Sequence, residues 1–129
     1  MTEADHVLFC SIVGYHVPLF VDEEYSKKTR FGGRICPSGV VMSFSTAMTE
    51  GLFRSCVVAM LGVDNGRFFK PLRPGDTIHT EIEVVDRKPE SNPECGVVIF
   101  RDEVWNQRKE KIYQIEKTAL MLTRGNGVS

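Results

Sequence analysis

The sequence predicts an α+β fold, an antiparallel sheet wrapped around one long central helix in a single domain of residues 1–129. Three observations predict it. The run from Ser38 to Leu61 places apolar residues on nearly every helical face, as a helix buried along most of its length does. After this run the hydrophobic period changes from 3.6 to 2, and three long alternating segments follow. With 129 residues, 42% hydrophobic and 26% charged, the chain has enough apolar material for one core. A sheet curled round one helix buries both elements with the fewest residues.

The elements follow in order. Thr2 is placed to cap a helix from Glu3 to Val13, with Glu3 and Asp5 in the first turn, where the helix dipole favours carboxylates. Leu8, Phe9, Ile12 and Val13 form its apolar stripe, and Gly14 ends it. Tyr15 to Val21 reads as irregular, punctuated by Pro18. Asp22 caps a short helix from Glu23 to Lys28, and Phe31-Gly32-Gly33-Arg34 is a turn. The Ser38–Leu61 helix comes next, with Gly51 a place for it to kink or end. Glu50 and Arg54 interrupt its apolar surface, so no membrane span is expected. A short strand over Gly66–Phe69 and a turn at Arg73-Pro74-Gly75-Asp76 lead into the alternating segments. These are Thr77–Asp86, Gly96–Asn106 and Lys111–Thr123, the last two joined by a tight hairpin at Gln107–Glu110. The tail from Gly125 to Ser129 is expected to be loose.

Charge and cysteine usage exclude several functions. Sixteen basic against 17 acidic residues give a net charge of −1, which offers no excess to drive binding to a nucleic-acid backbone. Cys10, Cys36, Cys56 and Cys95 form no C-x-x-C pair, and His6, His16 and His79 do not flank them at zinc spacing. Four reduced, mostly buried thiols and no metal are expected, with Cys36 at a helix start and Cys56 inside the helix. Thr2-Glu3-Ala4-Asp5 lacks the basic region of a signal peptide, so a cytoplasmic location is expected.

A set of short stretches carries a family resemblance. They are Thr2 to Asp5, Pro18-Leu19, Asp22 to Ile35, Arg67-Phe68, Lys70-Pro71, Pro74 to Thr77 and Asn106-Gln107. In this order and spacing they resemble the MaoC-like dehydratase family, which includes the R-specific enoyl-CoA hydratases. The resemblance runs from Thr2 to Arg124. It implies a hot-dog fold, and dimers formed by joining sheets side by side, as a homodimer, a heterodimer or a higher oligomer. The implied ligands are acyl thioesters of coenzyme A or acyl carrier protein, and the implied reaction adds water to a trans-2-enoyl thioester without a cofactor. In such proteins an Asp and a His five residues apart hold and activate the water. A backbone N–H at the start of the central helix meets the thioester oxygen, where charge develops as the enolate forms.

This chain departs from that pattern where the chemistry lies. The family reads Gly-Asp-x-Asn-Pro-Leu-His, whereas here the stretch is Gly14-Tyr15-His16-Val17-Pro18-Leu19-Phe20. Tyr15 occupies the Asp position and Phe20 the His position. Phenylalanine accepts no proton, and tyrosine, with a pKa near 10, is a poor base at neutral pH. His16 is the obvious substitute base, alone or with Tyr15, set against an ordinary loop histidine. At the helix start the family's His-Gly pair is replaced by Pro37-Ser38, followed by Gly39. Ser38 either caps the helix or donates to the thioester oxygen. Phe20, Asp22, Ser38 and Gly39 are thus the candidate substrate contacts.

Glu50, the one carboxylate within the long helix, and Asp22 keep a thioesterase reading open. His79, Asn106 and Gln107 read as solvated or hairpin residues. The family's strand ahead of the first helix is expected to be absent from this sequence, through a sheet with one strand fewer, a truncated start, or an edge supplied by a partner. The readings carried forward are a hydratase or dehydratase with an altered acid/base set, a non-catalytic hot-dog subunit that binds acyl-CoA or pairs with a catalytic chain, and an acyl-CoA thioesterase.

Overall fold

The computed structural model describes residues 1–125, so the end of the Gly125–Ser129 tail lies outside the described residues. The elements are α1 (Glu3–Val13), α2 (Pro18–Val21), α3 (Glu23–Lys27), α4 (Ser38–Ala47), α5 (Glu50–Phe53), β1 (Val57–Phe68), β2 (Ile78–Pro89), β3 (Cys95–Asn106) and β4 (Lys111–Leu122). The four strands form one antiparallel sheet in the order β1-β4-β3-β2. The antiparallel sheet over a central helix is the predicted fold.

Its central helix is shorter than the sequence predicted. The run from Ser38 to Leu61 divides into α4, the single turn of α5, and the first five residues of β1. Val57 to Leu61 therefore form strand, and Cys56 sits at the strand entry rather than inside a helix. A run apolar on every face fits a buried helix and a strand equally well, and two adjacent valines favour the strand. The predicted short strand at Gly66–Phe69 is only the end of β1, and the sheet has four long strands rather than three.

Smaller elements match residue by residue. Thr2 and Asp5 form a reciprocal capping box on α1, and Gly14 closes that helix at φ 70°. Asp22 caps α3 by accepting a hydrogen bond from the Tyr25 N–H at 3.0 Å. The stretch read as irregular contains the turn of helix α2, with Pro18 in its first turn, where no N–H is needed. The predicted apolar stripe of α1 is not its buried face. Leu8, Ile12 and Val13 are exposed, while His6 and Cys10 are buried and Phe9 packs on the core.

The main core joins Val40 and Val41 of α4 to Leu72, Ile78, Val104, Ile112, Tyr113 and Ile115. A second cluster of Phe100, Ala119 and Met121 packs with Phe53 and Cys56. Strand alternation aims Phe100, Asp102 and Val104 inward from β3, and Ile115, Lys117 and Ala119 inward from β4. The core thus contains an ion pair, Lys117 Nζ to Asp102 Oδ2 at 2.7 Å, with both side chains almost fully buried. All four cysteines are free; Cys10 and Cys36 are buried, and Cys56 and Cys95 are half-buried.

Candidate active site

The segment from Gly14 to Cys36 folds over the start of α4, and polar ties fix its position. His6 Nε2 lies 2.6 Å from the Phe20 carbonyl, to which it donates. Its buried Nδ1 has no partner. Ser26 Oγ donates to the carbonyls of Asp22 and Leu19 at 2.7 and 2.9 Å, which binds α3 to α2. Arg34 bridges Glu3 of α1 at 2.6 Å and Glu23 of α3 at 2.9 Å. The Arg73 guanidinium donates to the Phe31 carbonyl, and the Cys36 N–H donates to the Leu72 carbonyl at 2.7 Å. These bonds join the segment to the chain between β1 and β2.

A cleft of about 390 Å³ lies between the two. Leu19, Phe20, Arg30 and Phe31 form one wall, and Phe68, Phe69, Lys70, Pro71 and Leu72 form the other. Ile35, Cys36, Ser38 and Val41 line its remaining side, so the cleft opens onto the N-terminus of α4. Helix geometry leaves the first-turn N–H groups without intrahelical acceptors. Among the described residues, the amides of Ser38 and Gly39 find no acceptor. The Ser38 side chain makes no capping bond, so the capping role considered for it does not occur; Pro37 stands at the cap position. Gly39 faces α1, because a Cβ there would stand 3.2 Å from Phe9 Cζ.

The sequence-predicted residues separate into two groups. Phe20 and Ser38 line the cleft, with Gly39 next in the helix. Tyr15 packs on Phe20, their rings 5.2 Å apart and tilted at 50°. His16 is exposed and lines a smaller cavity of about 220 Å³, which also includes His6, Cys10 and Phe20. Phe20 lines both cavities, whereas neither Tyr15 nor His16 lines the cleft. Asp22 caps α3. Glu50 is held by Arg54 at 2.5 and 2.8 Å, and His79 is an exposed neighbour of Glu81.

Among the described residues, no carboxylate or imidazole lines the cleft. Its titratable groups are Arg30, Lys70 and Cys36, whose thiol burial pushes up to about 12 with help from the Asp76 charge, so it is not a thiolate. Arg30, Phe68 and Lys70 lie in the stretches that carry the family resemblance but are not among the predicted site residues. Nothing local marks them, because only the fold brings residues 30 and 70 to one opening. No group of three His, Cys, Asp or Glu among the described residues is placed to hold a metal.

Asn106 and Gln107 form a support beside the site. Gln107 donates to Asp76 at 2.8 Å and accepts from the Thr77 N–H at 3.0 Å. Asn106 Oδ1 accepts from the Arg108 and Glu110 N–H groups at 2.9 and 3.0 Å, closing the β3–β4 hairpin. Burial pushes the Asp76 carboxyl up, but Gln107, the Arg73 N–H and Arg108 together outweigh it and hold the group below its usual range.

Residues 1–106 match the model of the MaoC like domain. The chain belongs to this family. It is 32% identical over 106 residues to the uncharacterized protein YdeM of Bacillus subtilis, covering 80% of this chain and 74% of that protein. In fold it is similar to the monoamine oxidase regulatory protein of Archaeoglobus fulgius, with a TM-score of 0.88 and 33% identity over 95% of this chain and 83% of that one. The R-hydratase PhaJ1 of Pseudomonas aeruginosa shares the fold at a TM-score of 0.77 and 22% identity, over 99% of this chain and 77% of that one. No described helix is long and apolar enough to cross a membrane.

Proposed function

We propose that this MaoC-like domain binds acyl thioesters in the α4 cleft and acts on them as a hydratase or dehydratase with an altered acid/base set. One observation carries the reading: an apolar cleft is lined by Ser38 at the start of a ten-residue helix, where the Ser38 and Gly39 N–H groups have no acceptor among the described residues. Such amides, backed by the helix dipole, stabilise an oxygen that gains negative charge. The thioester oxygen belongs at Ser38 and Gly39, and the acyl chain beside Phe20, Val41 and Leu72. Tyr15 and His16 are the acid/base groups in this reading, although neither lines the cleft.

A second reading, a non-catalytic subunit that binds the thioester and pairs with a catalytic chain, has its own support. Among the described residues the cleft lining holds no carboxylate or imidazole, and burial keeps its Cys36 thiol protonated. Pairing through a sheet edge fits β1, which exposes Val57, Val58, Met60, Leu61 and Val63. One experiment separates the readings: crotonyl-CoA hydration and butyryl-CoA binding are measured on wild type and His16→Ala. Turnover lost in the variant supports the enzyme. Binding without turnover supports the subunit, and no binding refutes both.

A further inference from the structure

Four of the chain's eight phenylalanines line the cleft: Phe20, Phe31, Phe68 and Phe69. They come from α2, from the turn after α3, and from the end of β1 and the residue that follows it, so only the folded chain gathers them. Each ring is held by a partner. Tyr15 packs on Phe20 with ring centres 5.2 Å apart, and Tyr113 stacks on Phe68 at 4.6 Å and 22°. Two cations hold the others: the Arg30 guanidinium lies 5.0 Å from the centre of the Phe31 ring, and the Lys111 ammonium 5.5 Å from that of Phe69. Lys111 is itself fixed by Glu103 at 2.7 Å and Gln114 at 3.0 Å. Phe68 and Phe69 are nevertheless 50% and 51% exposed, so rings fixed in place still have aromatic surface to offer.

We propose that these four rings form a slot for a flat aromatic acyl group, so that the cleft prefers thioesters of 3-aryl acids over those of alkyl acids. This assignment rests on the thioester reading above and names its acyl class. A planar ring meets the cleft rings in offset-stacked or edge-to-face contacts, which attract beyond the apolar area they bury. An alkyl chain gains the area alone. Rings already held by Tyr15, Arg30, Tyr113 and Lys111 lose little freedom when a ligand arrives, so ordering them offsets little of the gain. Size is compatible: a dry cavity of about 150 Å³ holds benzene, and the cleft measures about 390 Å³. It therefore takes an aryl ring with the acyl carbons and the thioester behind it.

The test compares 3-phenylpropionyl-CoA, 3-cyclohexylpropionyl-CoA, octanoyl-CoA and succinyl-CoA. Affinities are measured by calorimetry on wild type, Phe31→Leu and Phe69→Leu, with thermal unfolding to verify the fold of each variant. None of the four probes carries a 2,3 double bond or a 3-hydroxyl, so binding is read without turnover. Burial of apolar area alone favours the cyclohexyl and octanoyl groups over phenyl, so a phenyl preference reports the rings. The phenyl probe is expected to bind about tenfold more tightly than the cyclohexyl probe. Each variant is expected to lose about threefold or more toward the phenyl probe and less than twofold toward octanoyl-CoA. Cyclohexyl or octanoyl binding as tight as phenyl overturns the aromatic slot and leaves the thioester reading intact. Succinyl-CoA binding most tightly of the four assigns the cleft to a carboxylated acyl group and also overturns it. A phenyl preference that both variants leave unchanged places the acyl group away from these rings, which overturns it too. If no thioester binds, the aromatic slot falls together with the thioester reading.

Discussion

Lys117→Met tests how the core tolerates two charges. The ammonium is 2.7 Å from Asp102 Oδ2, 3.5 Å from Thr49 Oγ1 and 5.0 Å from the Phe53 ring centre. Among the described residues no other donor reaches the Asp102 carboxylate, so removing the ammonium leaves it alone in the core. Breaking such a pair costs about 3–5 kcal/mol. The carboxylate has one escape, which is to take up a proton. From an unfolded pKa near 3.9, protonation at pH 7 costs about 4 kcal/mol, and at pH 5 only about 1.5 kcal/mol. The penalty of Lys117→Met is therefore capped near 4 kcal/mol at neutral pH and shrinks as the medium is acidified.

Wild type already leans the same way. Burial raises the Asp102 carboxyl by more than Lys117 lowers it, so the folded chain takes up this proton more readily than the unfolded one. With the folded pKa above the unfolded value, stability from this site is greatest below the ordinary Asp range. It falls as pH rises through the raised folded value. The double variant Lys117→Met with Asp102→Leu removes both charges and recovers wild-type stability or exceeds it, as apolar replacements of buried pairs do. Urea unfolding at pH 7 and pH 5, at one protein concentration, measures all three chains. A Lys117→Met penalty below about 1 kcal/mol at pH 7 refutes the reasoning, as does a penalty that does not shrink at pH 5. A double variant as weak as the single refutes it too.

Other expectations follow from the same structure. Asp76→Asn loses the charge that holds Arg73, Gln107 and Arg108, and should cost about 1–3 kcal/mol in chemical unfolding at neutral pH. Because the folded Asp76 pKa is depressed, its contribution is complete above the unfolded value and is lost as pH falls through the folded one, so wild type and variant should converge in acid. Iodoacetamide at pH 8 should label Cys56 and Cys95 well before Cys36 and Cys10, as followed by peptide mass spectrometry; early labelling of Cys36 would contradict its buried, protonated state. Tyr15→Asp with Phe20→His puts back the Asp and His that the family resemblance assigns to these two positions. Crotonyl-CoA hydration should rise about 100-fold over either single variant, and no gain would place the thioester elsewhere.

The sequence was most readable where one residue has one local task. Thr2, Gly14 and Asp22 occupy the caps assigned to them, because capping depends only on neighbours within a turn. It was least readable where two structures share one pattern. Val57 to Leu61 satisfied the helical run as well as the strand they form, and only pairing with β4, set by the whole sheet, decides between them. On α1 the stripe of Leu8, Ile12 and Val13 is exposed while His6 is buried, because His6 holds the Phe20 carbonyl.

The buried pair was legible in principle. Alternation on β3 and β4 aims Asp102 and Lys117 inward with Phe100, Val104, Ile115 and Ala119, and two opposite inward charges on neighbouring strands imply each other. The cleft was legible only in part. Phe20 and Ser38 come from the family pattern, whereas Arg30 and Lys70 become neighbours of one opening only after the Gly14–Cys36 segment is tied down by His6, Ser26 and Arg34. Those ties constrain function in turn. They hold the cleft walls and the start of α4 in place without using the side chains at Tyr15 and Phe20, so under the proposed function thioester binding is separable from catalysis.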